Sequence, residues 1–177
     1  LATATVGGVF SSCSPDFGVA GICERFGPLH PKILFFVSSY SYAGKRIDMC
    51  PTLEACHRQL CPLETVVVGR GTGQTDAPSW DESLARSGSP ALTFAPRRFL
   101  DPQFILFSSG TTGAPKCIIH SVGGTLLQHK KELMLHSDIH NCDRLMFFTT
   151  CGWMMWNWMA SALSVGASVV VYDGSPA

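Results

Sequence analysis

Phe104-Ile105-Leu106-Phe107-Ser108-Ser109-Gly110-Thr111-Thr112-Gly113-Ala114-Pro115-Lys116-Cys117-Ile118-Ile119 places a loop of small and hydroxyl residues between two apolar runs. Gly110 and Gly113 lack Cβ atoms, so the backbone there can take positive φ and bring N–H groups close to a polyanion. The hydroxyls of Ser108, Ser109, Thr111 and Thr112 add donors, and Lys116 adds a compact positive charge. The stretch reads as a triphosphate clamp. A Walker A loop needs four residues between its first glycine and a Gly-Lys pair, followed by a helix. Here Thr111 and Thr112 alone separate the glycines. Pro115 biases Ala114 away from the α region, and Cys117-Ile118-Ile119 favours a strand. The loop therefore joins two extended segments, which argues against a kinase-like or GTPase-like phosphate site.

Outward from the loop, short apolar strands alternate with helices. On the N-terminal side, a helix remnant at Leu1 to Gly8 and a strand at Val9 to Cys13 are followed by a helix from Pro15 towards Phe26, ended by Pro28 and Pro31. Ile33 to Val37 and Thr65 to Val68 read as buried strands flanking a helix at Met49 to Leu60. From Gly69 to Pro102 glycines and prolines interrupt any long element, leaving a surface excursion with a short helix around Trp80 to Arg86. Gly69, Gly71 and Gly73 lie too far from a helix start to form a dinucleotide fingerprint.

On the C-terminal side, Thr125 and Gln128 have capping-box spacing. They predict a helix over Leu126 to Ser137 with Leu126, Leu127, Leu133 and Met134 turned inward. A strand at Leu145 to Thr150, a helix at Trp153 to Val165 closed by Gly166, and a strand at Ser168 to Tyr172 complete the pattern. The fold class is α/β, alternating strand-helix units forming a mostly parallel sheet with right-handed crossovers.

Composition narrows the function. With 177 residues, 46% hydrophobic and 15% charged, the chain suits one well-buried domain. Its 13 basic and 13 acidic residues cancel, and no basic run or aromatic RNA-binding motif occurs, so nucleic acid is set aside as a partner. Eight cysteines without a Cys-x-x-Cys pair, with Cys13, Cys23, Cys117 and Cys151 in apolar or small-residue surroundings, suit reduced, buried thiols and a cytosolic setting. Neither Cys56, His57 and Cys61 nor His136, His140, Cys142 and Asp143 has zinc-ligand spacing, so no metal ligand is assigned. Leu145 to Tyr172 holds no Asp, Glu, Lys, Arg or His and is long enough to cross a bilayer. Its polar and small residues, among them Thr149, Asn157 and Ser161, and its β-branched end fit a buried strand, helix and strand better, so no stable membrane insertion is expected. The start at Leu1 has no basic n-region and does not read as a signal peptide.

The loop spacing resembles the signature of the AMP-forming acyl-CoA synthetases and their adenylate-forming relatives. Three further segments extend the likeness over nearly the whole chain: Ser14-Pro15-Asp16-Phe17-Gly18, Gly152-Trp153-Met154-Met155-Trp156-Asn157-Trp158 and Tyr172-Asp173-Gly174-Ser175-Pro176. Together they look like the acetoacetate–CoA ligases of that superfamily. The resemblance implies that residues 1–177 are a partial N-terminal AMP-binding domain, truncated at both ends. The C-terminal domain and the rest of the chain, with the adenine and ribose contacts, an acidic magnesium ligand and the catalytic lysine, then lie beyond it.

It also implies a chemistry in which a carboxylate attacks the α-phosphate of ATP, with magnesium accompanying the nucleotide, and the CoA thiol then displaces AMP. The expected phosphate-binding residues are Ser108, Ser109, Gly110, Thr111, Thr112, Gly113 and Lys116. Trp153, Met154, Met155 and Trp156 would line the acyl pocket; Lys45 lies where some relatives hold the CoA phosphate, but a solvated lysine is the better reading of it. A carboxylate is already nucleophilic at neutral pH, so the absence of a catalytic triad fits; the chemistry needs charge stabilisation on the departing pyrophosphate. Helical spacing of Trp153, Trp156, Ala160 and Leu163 also fits plain core packing. A different adenylating enzyme, a non-catalytic nucleotide-binding module and a membrane-anchored protein stay open on the residues alone.

Overall fold

The structure is a computed structural model that describes residues 1–69, 75–108, 113, 115–172 and 174. In chain order the main elements are α1 (Ala2–Thr5), β1 (Phe10–Ser11), α2 (Gly18–Phe26), β2 (Ile33–Val37), β3 (Ser39–Tyr42), β4 (Lys45–Asp48), α3 (Cys50–Leu60) and β5 (Glu64–Val68). They continue with α4 (Trp80–Ser87), β6 (Pro102–Ser108), β7 (Lys116–Ser121), α5 (Val122–Lys131), β8 (Arg144–Leu145), α6 (Met154–Ala160) and β9 (Ser168–Val169). The chain forms two compact units, one built from Leu1–Ser14 and Leu92–Tyr172, the other from Pro15–Ala91.

The Pro15–Ala91 unit pairs β2 with β5 in parallel, Ile33 opposite Glu64 through Val37 opposite Val68. The predicted fully buried strand at Ile33 to Val37 is instead half-buried. Leu34 and Phe36 are covered while Ile33 and Phe35 are about half exposed (53% and 50%), as period-2 alternation requires of a strand with one covered face. Pro51 at the start of α3 suits the first turn, where its missing N–H goes unused. The helix buries Cys50, Leu53 and Cys56, with a spacing of three that keeps one face inward.

The reading of the sequence misses the antiparallel hairpin β3–β4. Its turn, Ala43-Gly44, has positive φ at both residues (48° and 72°), which is the geometry a two-residue hairpin needs. The excursion after Gly69 contains its expected helix. Ser79 caps α4 by accepting from the Glu82 N–H while Glu82 accepts from the Ser79 N–H, a complete capping box.

The other unit carries the sheet β1-β6-β7. Phe10 and Ser11 pair in parallel with Phe104 and Ile105, whereas β7 runs antiparallel to β6, from Pro102 opposite Ser121 to Ser108 opposite Lys116. Arg97 fastens this sheet to the N-terminal segment. Its guanidinium donates to the Gly7 and Pro102 carbonyls and sits 3.3 Å from Asp101. The sheet is therefore mixed, one parallel and one antiparallel pair.

Two further expectations are corrected here. Helix α5 starts one turn earlier than Thr125, because extended Ser121 accepts from the Gly124 N–H at 3.2 Å and caps it. Gly123-Gly124, poor helix formers, hide that start in the sequence. The inward stripe becomes Thr125, His129 and Leu133, while Leu126, Leu127 and Met134 are exposed. The strand foreseen over Leu145 to Thr150 shrinks to β8, paired in parallel with β9.

Leu133, Ala162 and Ala167 form the buried cluster of this unit, ringed by Ile139, Leu145, Trp158, Val165 and Val169. The cysteines also differ from expectation: Cys50 and Cys56 are the buried ones, whereas Cys117 and Cys151 are exposed. Among the described residues, no helix is long and apolar enough to cross a membrane.

Gly166 ends the helical segment at φ +83°, and a Cβ there would meet Asn141 Oδ1 at 2.8 Å. Gly166→Ala should lower stability by about 1–2 kcal/mol, read as a shift of the urea unfolding midpoint with an unchanged m value.

Candidate functional site

Two of the residues expected to bind phosphate, Ser108 and Lys116, stand at one end of the β6–β7 pair. Ser108 closes β6 opposite Lys116, the first residue of β7, and Lys116 is exposed to solvent. Gly113 has φ +135°, a conformation L side chains rarely adopt, with open space where a Cβ would stand. Ser109, Gly110, Thr111 and Thr112 lie outside the described residues, as does Ala114. A permissive glycine and an exposed cation at a strand start fit a phosphate ligand.

The helix N-terminus at the other end of β7 has its own donors occupied. The Val122 and Gly123 N–H groups donate to the Asp101 and Phe99 carbonyls at 2.8 and 2.9 Å, and the Gly124 N–H goes to Ser121. The first three orphan donors of α5 are thus spent on protein.

At the far end of β7 a groove of about 580 Å3 opens between α5 and α6. His120, Ser121, Gly124 and Thr125 line one side, followed down α5 by Gln128, His129 and Glu132; Met154, Met155 and Trp158 of α6 line the other. Of the four residues expected at an acyl pocket, Met154 and Met155 are therefore here, whereas Trp153 and Trp156 are not among its lining. The reason is helical phase. Trp153 is the extended N-cap of α6 (φ −108°, ψ 147°) and is 59% exposed. Within the helix, position 156 falls about 200° round from 154 while 158 returns to the same face. The alternative core stripe Trp153, Trp156, Ala160 and Leu163 also fails, since Asn157, Met159 and Ala162 are the residues buried. Lys45, in β4 of the other unit, is exposed.

His129, His120, Gln128 and Glu132 are the polar lining that sequence reasoning did not single out. The signal that points to His129 is its spacing of four from Thr125 and from Leu133, which puts all three on one helix face. His129 is 5% exposed, and its Nδ1 lies 2.8 Å from Ser161 Oγ. Burial, and secondarily the charge of His120, push its pKa below the ordinary histidine value.

The pKa of Glu132 is also lowered, but here the charged form is the one favoured: the Lys131 ammonium at 2.9 Å holds the carboxylate ionised, with help from His136 and the Gln128 amide. At Glu132–His136 the helix widens to a single π-turn, a distortion common beside functional sites. No three His, Cys, Asp or Glu side chains gather around a cation position among the described residues.

The sequence profile described as AMP-binding enzyme matches residues 1–177. The acetoacetyl-coenzyme A synthetase of Rhizobium meliloti (strain 1021) is 47% identical over 182 residues, covering 99% of this chain and 28% of that protein. The acetoacetyl-CoA synthetase of Mus musculus is 44% identical over 188 residues with the same coverage. The solved acetoacetyl-CoA synthetase of Streptomyces lividans superposes with a TM-score of 0.92 at 40% identity, over 99% of this chain and 27% of that one. The chain thus spans about 28% of the length of the curated relatives it matches.

A histidine whose folded pKa is depressed binds its proton less readily when folded than when unfolded. Its contribution is therefore neutral above the unfolded value of about 6.5 and becomes destabilising as pH falls below it. Unfolding stability should decline across that window. His129→Gln should flatten the slope, as measured by denaturant titrations at a series of pH values.

Proposed function

The chain belongs to the family of AMP-binding enzymes, and from that premise we propose that its protein is an ATP-dependent acid–thiol ligase. Acetoacetate, CoA and ATP become acetoacetyl-CoA, AMP and diphosphate by way of an acyl-adenylate. The observation that carries this reading is the arrangement along β7. An exposed lysine and a positive-φ glycine stand at one end and a largely apolar groove at the other. Lys116 and His120 are four strand residues apart, about 13 Å, a span suited to a polyphosphate at one end and a short acyl chain at the other. The names of the relatives point to the same acid.

In this mechanism the substrate carboxylate is the nucleophile and attacks the α-phosphate; pyrophosphate leaves with the P–O electron pair. The CoA thiol, losing its proton, then takes the acyl group and AMP departs. The loop Ser108 to Lys116 holds the β- and γ-phosphates while charge moves onto the leaving group, with donors from Ser109, Thr111, Thr112 and the glycine amides. Met154, Met155 and Trp158 wall the acyl chain and exclude water. Magnesium arrives on the nucleotide, and no residue of this chain is assigned to it. The reaction is placed in the cytosol, where its product supplies lipid synthesis and acetoacetate is drawn from ketone bodies.

A pyrophosphate-release assay on the full-length gene product, comparing acetoacetate, acetate, propionate and octanoate, tests the reading. Acetoacetate-dependent release that falls about 10²-fold in Lys116→Ala supports ligase and loop together. Release with another acid alone overturns the substrate. In the same assay Met155→Ala should enlarge the groove and shift preference towards longer acids by about tenfold in relative kcat/KM.

A further inference from the structure

We propose that the indole N–H of Trp158 is the specificity-determining donor of the groove and recognises the 3-keto oxygen of the acyl substrate; this rests on the ligase reading above. A β-keto acid differs from the plain acid of the same length by one carbonyl, an acceptor that must meet a donor when it leaves water. The two walls of the groove offer that carbonyl different partners.

The α5 wall is rich in acceptors. The Ser161 hydroxyl donates to the Asn157 carbonyl at 2.9 Å and accepts from His129 Nδ1–H at 2.8 Å. The neutral ring of His129 then carries a lone pair on Nε2. About one turn further on, Glu132 is an ionised carboxylate. A keto oxygen gains no hydrogen bond from either, so it is better placed towards α6.

Donors are also present on the α5 side. Gln128 keeps the amide hydrogen that does not go to Glu132, and Ser121 keeps its hydroxyl hydrogen while accepting from the Gly124 N–H. Gln128 is exposed to solvent, so water serves it as well as a ligand would. The Ser121 hydroxyl and the half-buried His120 ring can each present a donor or an acceptor, so neither commits the groove to an acceptor ligand.

Trp158 does, because an indole can only donate. Its N–H bonds none of the described residues and is not sealed off from solvent. On α6 it stands one turn from Met154 and shares the groove wall with Met154 and Met155. The ring packs on the cluster of Leu133, Ala162 and Ala167 and meets Phe147 edge to face, with centroids 6.3 Å apart. A donor held this way has little freedom left to lose on binding. A butyrate methylene in place of the keto group would displace water from the N–H and return no acceptor, and a site left with an unpaired donor rejects such an analogue.

The test compares acetoacetate with butyrate by pyrophosphate release from the full-length protein, in which position 158 carries benzothienylalanine, a tryptophan isostere with sulfur in place of the N–H. The isostere should lower the acetoacetate-to-butyrate ratio of kcat/KM about tenfold. Trp158→Phe should lower the ratio to a similar extent, whatever it costs in packing. Gln128→Leu and Ser121→Ala should each leave the ratio close to that of the parent. An unchanged ratio with the isostere, or a fall of the expected size in Gln128→Leu or Ser121→Ala in its stead, overturns the proposal while leaving the ligase reading intact. A parent protein that releases no pyrophosphate with acetoacetate overturns the ligase reading itself, and the proposal with it.

Discussion

The antiparallel pairing of β6 with β7 is the constraint on which the site depends. Its register runs from Ile105 opposite Ile119 to Ser108 opposite Lys116, and slipping it by one residue would turn every side chain of β7 to the other face. The residues between Ser108 and Lys116 must therefore reverse the chain within a fixed gap, which small residues and a positive-φ Gly113 allow. At its other end β7 passes into α5 without a spacer, because Ser121 is both its last residue and the helix cap. One strand thus fixes the phosphate loop and the groove with respect to each other.

Helix α5 then solves a second problem, that of burying a polar face. Thr125 and His129 are inward where leucines were expected, and an unpaired buried polar group carries a desolvation cost. His129 offsets its share through Ser161, which in turn reaches the Asn157 carbonyl of α6. That chain ties the two walls of the groove by side-chain hydrogen bonds where leucines would have tied them by packing. Below it the apolar cluster of Leu133, Ala162 and Ala167 takes over.

Most of the element order was legible in the sequence because it follows from local rules: strands from apolar β-branched runs, Pro at helix starts, Gly166 at a helix end. What was not legible is long-range. Nothing local in Phe10-Ser11 says that it pairs with β6, and Ala43-Gly44 gives a hairpin signal weaker than Asn-Gly. For the site, residue type and spacing pointed to Met154 and Met155, which line the groove, and to the loop whose role is proposed above. Trp153 and Trp156 lie outside the lining of this groove because the start of α6, and so the phase of its faces, is set by the extended backbone at Trp153. His129 was hidden by Gly123-Gly124, which concealed the true start of α5 and put the predicted inward face on the leucines.

The electrostatics of the groove fit the reaction proposed above, whose nucleophile would arrive already ionised. A site that had to abstract a proton would need a base poised near neutral pH, yet His129 is pushed towards its neutral form by burial. Glu132 is held ionised by Lys131, so its charge is answered within the protein. Among the described residues lining the groove, no carboxylate is then left with its charge unanswered by the protein. On the proposed reading an incoming acid would be sorted by shape in this groove, while the exposed cation Lys116 stands at the other end of β7.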